Sequence, residues 1–295
     1  MSDSFYADWM IERLVPDDAF SLAYNSMPGE RRAWVKKTAA QVHALVGPMR
    51  DSREERGRVH RQGFSSRALS VPLECAVIFL DSTCVSPVQV AAAAVPLVLS
   101  GARRMCAVRI EDGTPVSDNV LAALELVGLE TVFQLDEPGA RRFMEMLTET
   151  HSAAVLFFGR GTALMSLSVA AGYAAPQLRL FKPFLTERLG IWAGAGDEWD
   201  FETLAWAHPC TQFDVWGART AIPDLPPGFS HRKGSFESFL GEGYQGVYVP
   251  EEQLAESVGQ VALALAPGQE GCWVWPELST DFFRAETLAI GGWNG

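Results

Sequence analysis

Between residues 76 and 110 the chain alternates apolar blocks of strand and helix length with short polar turns. AVIFL (76–80) gives way to DSTCVSP, then to the alanine-rich VQVAAAAVPLVL (88–99), then through SGARR to MCAVRI (105–110). The two short blocks are apolar almost throughout, the pattern of parallel strands covered on both faces. Pro87 just inside the start of the long block and Gly101 just past its end mark helix termini. Pro96 falls inside the block, where it removes one amide donor. The whole predicts a βαβ unit with a right-handed crossover. The turn Asp81-Ser82-Thr83-Cys84 then lies at the carboxyl end of a strand and ahead of a helix, where open α/β sheets bind ligands.

The same alternation continues. Residues 117–127 read as an amphipathic helix opened by Ser117-Asp118-Asn119 and closed by Gly128, and 131–135 as a short strand. Pro138 starts a helix over 140–150, and 153–158 is another buried strand. That strand runs into Gly159-Arg160-Gly161-Thr162 and a small-residue helix over 163–171. Strands separated by helices of this length predict a doubly wound parallel sheet. The glycine turn is a second place where backbone amides can approach a phosphate or nicotinamide, although a tight turn without ligand needs the same residues.

Before this unit, residues 1–62 read as mostly helical, with Trp34, Val35, Thr38, Val42 and Leu45 on one face of a helix over 28–46. The charged stretch 50–61 (RDSREERGRVHR) reads as a solvated helix end or loop. After it, strands are expected at 180–184, 189–193, 214–217, 246–249 and 272–275, helices at 199–207 and 251–265, and a proline-rich loop at 222–229. The expected organisation is an N-terminal helical segment (1–70), a nucleotide-binding-like α/β lobe (71–188) and a smaller catalytic-like α/β lobe (189–295).

Composition narrows the classes. The chain has 295 residues, 48% hydrophobic and 20% charged, which is ordinary for a globular protein with a sizeable core. The longest apolar stretch, 88–99, is too short to span a bilayer, and no secretory signal is readable, so a cytoplasmic protein away from membranes is expected. Five cysteines without a CxxC pair fit a reducing compartment. A formal charge of −12 argues against nucleic acid as a partner. The C-terminal stretch 273–293 is rich in large apolar residues, which points to a homodimer contact.

Two motifs that would settle a nucleotide site, GxGxxG and GxxxxGK[ST], are missing from the sequence. Cys210 follows a predicted helix and is flanked by His208, an arrangement suited to a thiolate nucleophile. The alternative for Cys210 is a small buried hydrophobe, the usual fate of a free cysteine. Cys84 is the rival nucleophile, whereas Cys75, Cys106 and Cys272 sit in strand-like runs and read as core. No pair of histidines or cysteines has local ligand spacing, so no metal site is expected. Trp192, Trp199, Trp206 and Trp216 wall an apolar pocket or belong to the core.

Laid end to end, these segments resemble the aldehyde dehydrogenase superfamily in the broad sense, including acyl-CoA reductases and histidinol dehydrogenase. VPLECAVIFLDS is similar to the family's first strand and cofactor turn, and VQVAAAAVPLVLSGARRMCAVRI to its long helix and second strand. VLFFGRGTAL is similar to its strand and glycine turn, DFETLAWAHPCTQF to the helix before its cysteine, and GYQGVYVPEEQLAESVGQVALALAPGQEGCWVW to its C-terminal strand, helix and strand. The resemblance implies two Rossmann-like lobes with mostly parallel doubly wound sheets. It implies an oxidoreductase that acts on an aldehyde or activated acyl group as small-molecule substrate. NAD or NADP would be held by Ser82, Thr83, Arg109, Gly159, Gly161 and Thr162, with Cys210, His208 and Glu251 at the chemistry. Two departures stand against it: LFKPF replaces the glutamate-glycine-glycine segment of the general base, and the cofactor-turn asparagine is absent. They open the alternative of a lapsed enzyme kept as a binding or assembly module.

Overall fold

In a computed structural model the described residues are 6–150, 152–175, 177–183, 187–194, 199–217 and 225–292. Three helices come first, α1 (Asp8–Ile11), α2 (Asp17–Ser26) and α3 (Gly29–Val46), then the strands β1 (Glu54–His60) and β2 (Phe64–Pro72). The first lobe follows as β3 (Cys75–Leu80), α4 (Pro87–Leu99), β4 (Arg104–Ile110), α5 (Asp118–Leu126), β5 (Val132–Leu135), α6 (Glu137–Thr150), β6 (Ala153–Phe158), α7 (Thr162–Ala174) and β7 (Arg179–Phe181). The second lobe is β8 (Arg188–Trp192), α8 (Phe201–Ala207), β9 (Gln212–Trp216), β10 (Phe229–Arg232), α9 (Phe236–Leu240), β11 (Val247–Tyr248), α10 (Leu254–Ser257) and β12 (Ala264–Leu265). A last strand, β13 (Arg284–Gly292), closes the described chain.

The first lobe is a parallel sheet in the order β5-β4-β3-β6-β7. Alternation along its strands divides the core. Ala76, Ile78 and Leu80 turn to the face covered by α3, α4 and α5, while Cys75, Val77 and Phe79 turn to the face covered by α1, α6 and α7. Helices therefore lie on both faces, as expected for a sheet whose strands carry no polar face. The second lobe is another parallel sheet, β10-β9-β8-β11-β12. Its Leu189, Ile191 and Leu204 join the same apolar core as α4, so the lobes share one interior.

A third sheet lay outside the expectation. β1, β2 and β13 form an antiparallel three-stranded sheet, with β13 paired to β2 from Arg284↔Pro72 to Gly292↔Phe64. Residues 54–60, read as loop or helix end, are thus a strand. Most of β1 and β13 faces water on both sides, so neither strand shows the apolar alternation that marks a half-buried one. Arg284 roots this sheet: fully buried, it donates from Nε to Ser70 Oγ (2.9 Å) and from Nη2 to the Ser52 carbonyl (2.8 Å).

Two other expectations are corrected. Residues 251–265 do not form one helix: a 3-10 turn (Glu251–Gln253) and α10 stop before Gly259, which adopts φ +80°, and β12 follows. Residues 272–275 are buried coil rather than strand. Trp273 and Trp275 are apolar because they fill the core, and Trp275 Nε1 donates to the Gln89 carbonyl at 2.9 Å. That burial also removes the proposed contact stretch. Trp273, Trp275, Leu278 and Phe283 are interior, and among the described residues of the stretch only Leu288 and Ile290 on β13 remain large, apolar and exposed. Phe184, residues 222–224 and Trp293 lie outside the described residues.

Candidate functional site

In the first sheet the chain winds one way from β3 through β4 to β5 and the other way to β6 and β7. The crevice between the carboxyl ends of β3 and β6 is the switch point, where open α/β sheets take ligands. The turns that follow these strands carry Asp81 to Ser86 and Gly159 to Gly161. Asp81 is buried, and its carboxylate fills the crevice. Oδ1 accepts from the Thr83 amide (2.8 Å) and hydroxyl (2.6 Å), and Oδ2 accepts from the Gly161 amide (2.7 Å). The Arg160 amide donates to Thr83 Oγ1 at 2.7 Å, which closes the loop of bonds between the two turns. Glycine is required on the second turn for two reasons. Gly159 has φ +145°, and a Cβ there would sit 2.2 Å from Asp81 Oδ1. A Cβ on Gly161 would sit 2.7 Å from Oδ2. The anion received by these amides is the chain's own.

The second lobe presents the turn His208-Pro209-Cys210-Thr211 to this crevice. Ser86 caps α4 by accepting from the Gln89 amide (3.2 Å), and its hydroxyl donates to the Ala207 carbonyl at the end of α8 (2.6 Å). Thr83, Arg160, Pro209 and Thr211 enclose a void of only about 30 Å³, room for about one water. Cys210 is exposed, and among the described residues it is the only non-glycine with positive φ, at +63°. Its neighbour does not help it. His208 is 1% exposed, lies 2.8 Å from the Tyr248 hydroxyl through Nε2, and packs against Trp273. Burial drives its pKa down to about 3, so at neutral pH the ring is uncharged and supplies no field for a thiolate.

Glu251 stands apart. It is exposed just past the carboxyl end of β11, whereas Cys210 precedes the amino end of β9. In a parallel sheet these are opposite edges, separated by roughly 15 Å for strands of this length. The sequence pairing of Cys210 with His208 and Glu251 is therefore not assembled. Cys84, the rival nucleophile, is buried, and burial with the Asp81 charge raises its pKa far above the usual thiol range. Cys75 and Cys106 are likewise pushed up by burial, to about 11 and about 12.

Ser82 and Arg109 do come together, in a separate pocket of about 380 Å³ at the carboxyl ends of β3 and β4. Its walls are Leu80, Val85, Val116 and Val120, and its polar groups include Ser117 and Asn119 at the start of α5. Arg109 is 3% exposed. Its Nη2 donates to Asp112 Oδ1 (3.0 Å) and the Thr114 carbonyl (3.1 Å), while Nη1 has no partner. A hydrogen bond from Ser82, then those from Arg109 and the Thr114 amide, hold the Asp112 carboxyl well below its usual range. Thr162 opens α7 and is exposed; no contact brings it to this pocket. Sequence reasoning named the Asp81 turn but missed Asp81 itself as an occupant. Asp81-Ser82-Thr83 is an Asx-turn signature, and that was the available signal.

Two parallel α/β sheets that share one apolar core, with a cysteine turn set against the switch-point crevice of the first, define an α/β protein of the doubly wound class. Its fold is aldehyde dehydrogenase-like. It is similar to histidinol dehydrogenase from Elizabethkingia anophelis over 95% of this chain and 76% of that one, with a TM-score of 0.64 at 12% identity. It is also similar to an NAD-dependent benzaldehyde dehydrogenase from Corynebacterium glutamicum over 94% and 90% of the two chains, with a TM-score of 0.50 at 10% identity. No protein-family profile and no curated protein matches the sequence. Among the described residues no helix is long and apolar enough to cross a membrane.

Proposed function

We propose that this protein is an aldehyde dehydrogenase-like nucleotide-binding protein that keeps the adenosine end of an NAD(P) site without an assembled centre for thiolate chemistry. The observation that carries it is the Asp81 carboxylate seated in the glycine turn. The pocket beside Arg109 has the size and mix of apolar walls and few polar groups of a small-molecule site. The crevice beyond it does not fit the diphosphate, because its amides are already taken and its charge is negative. NADH and NADPH titrations by cofactor fluorescence test this. Wild type should bind weakly and Asp81→Ala at least fivefold more tightly, with folding checked by circular dichroism. Equal affinities would remove Asp81 as the barrier.

A second reading, an NAD(P)-dependent oxidoreductase acting on an aldehyde or acyl group, is favoured by Cys210. A left-handed backbone at a non-glycine residue costs about 1–3 kcal/mol and clusters at functional sites. In that reading the Cys210 thiolate would add to the carbonyl carbon of an aldehyde, a bound NAD(P) would supply the hydride acceptor, and water would release the resulting acyl group from the sulfur as the acid. In either reading the free cysteines support a reducing, cytoplasmic setting. We further propose a homodimer, now on the exposed Leu288 and Ile290 of β13 and on Met165, Val169 and Tyr173, which form one stripe of the charge-free helix α7. We also propose a division into an N-terminal segment, 1–70, and two α/β lobes, 71–188 and 189–295.

A further inference from the structure

We propose that the antiparallel sheet carries an acyl-transfer site of its own, a Ser66–His60 pair that hydrolyses short-chain esters independently of the nucleotide crevice. Its geometry follows from the hairpin between β1 and β2. The Gly63 amide donates to the His60 carbonyl at 3.1 Å, and this turn sets the register His60↔Phe64 and Arg58↔Ser66. Residues opposite one another share a face, so His60, Phe64, Arg58 and Ser66 stand on one side of the sheet, joined by Ile290 of β13 opposite Ser66. A slip of one residue would send Ser66 and His60 to opposite faces. His60 Nε2 lies 2.7 Å from Ser66 Oγ, and its ring stacks on Phe64 with centroids 4.2 Å apart and planes 14° apart. With the ring proton on Nδ1, Nε2 accepts the Ser66 proton, which is the relation of base to nucleophile in hydroxyl-based acyl transfer. Arg53, Arg56 and Arg67 are each paired with Glu54 or Glu55, whereas Arg58 has no acidic partner among the described residues. Its guanidinium, directly across from Ser66, supplies positive charge for an oxyanion. Arg58, Ser66 and Ile290 line an open groove of about 490 Å³, room for a short acyl chain. Arg58 and His60 lie two strands, roughly 9.5 Å, from β13, so a second copy seated on Leu288 and Ile290 borders the groove without covering them. In the reaction Ser66 Oγ bonds to the ester carbonyl carbon as its proton passes to His60; the bond to the alcohol oxygen breaks, and the alcohol leaves with that proton. Water then gives a proton to His60 and adds to the acyl-serine, which frees the acid as the proton returns to Ser66. Among the described residues no carboxylate backs the imidazole, so turnover should be slow.

Ester hydrolysis by the full chain carrying Cys210→Ala tests this, since the exposed Cys210 thiol would also accept an acyl group from an activated ester. The chain should turn over 4-nitrophenyl acetate repeatedly, about tenfold or more faster than the same chain with Ser66→Ala added. A fluorophosphonate probe should label Ser66, as located by mass spectrometry, and His60→Gln should remove both the labelling and most of the turnover. Arg58→Met should lower kcat about tenfold with KM little changed, the mark of an interaction made in the transition state. All three side chains stand on the water-facing sheet, and circular dichroism checks that each variant folds. Turnover that survives Ser66→Ala, or a probe that lands on another residue, overturns the assignment. So does a Cys210→Ala chain that hydrolyses the ester no faster than buffer.

Discussion

Asp81 is the residue on which the site turns. Three donors from its own turn and the glycine turn converge on its carboxylate, and hydrogen bonds to a charged group contribute about 1.5–3 kcal/mol each when measured by removal. Asp81→Asn keeps the shape but sets an amide NH2 against N–H donors. It should lower stability by about 2 kcal/mol, read as a lower urea midpoint at unchanged slope. An unchanged midpoint would mean the two turns are held otherwise. His208 makes a prediction in pH. Its folded pKa, about 3, lies below the ordinary 6.5 because of burial. Below pH 6.5 the unfolded chain takes up a proton that the folded chain refuses. Stability should therefore fall as pH drops from 6.5 toward 3, by roughly 2 kcal/mol over the first one and a half units, and His208 should contribute no slope above 6.5. Unfolding of wild type and His208→Gln at pH 7 and pH 5 measures it; parallel pH slopes would contradict it. Cys210, exposed where the other four cysteines are buried, should take iodoacetamide first in the native state. Mass spectrometry after partial labelling would show another site leading if the description of that turn is wrong.

At the scale of elements, what the sequence made legible follows from what burial imposes. The strands at 76–80, 105–110, 131–135 and 153–158 are covered on both faces, and the structure sets β3, β4, β5 and β6 there within one residue at each end. β1, β2 and β13 were not legible, because strands bathed in water show no apolar period and β2 meets β13 only after the chain has passed through both lobes. The stretch 272–275 erred the other way: a run of tryptophans reports burial, which coil supplies as readily as sheet. At the site, the turns were legible as turns because glycine, serine and proline punctuate them. What each turn holds was not, since the contact between Asp81 and Gly161 spans 80 positions. The root of the third sheet offers a test at this scale. Arg284→Met strips donors from the Ser52 and Ser70 carbonyls, and should cost about 3 kcal/mol while leaving both parallel sheets in place. Hydrogen exchange should then accelerate in β1, β2 and β13 before β3 or β6; a uniform rise would show that the sheets unfold as one.

For the whole molecule, a net charge of −12 makes copies repel, so association has to proceed through faces that carry little charge. α7, without a charged residue, and the apolar end of β13 are such faces. Light scattering at micromolar concentration should give twice the monomer mass for wild type, and Val169→Glu with Ile290→Lys should return it to the monomer mass; a monomeric wild type would end the dimer proposal. The same molecule joins two parallel α/β lobes beside a crevice that its own carboxylate occupies, so under the proposed nucleotide reading the adenosine and nicotinamide ends of a dinucleotide should contribute unequally. Calorimetric titration of wild type with adenosine 2′-monophosphate and with NADPH, under one buffer, puts that to the test. Dissociation constants within about threefold of each other are predicted, because the diphosphate and nicotinamide find no seat; NADPH binding about a hundredfold more tightly, nearly 3 kcal/mol, would contradict it.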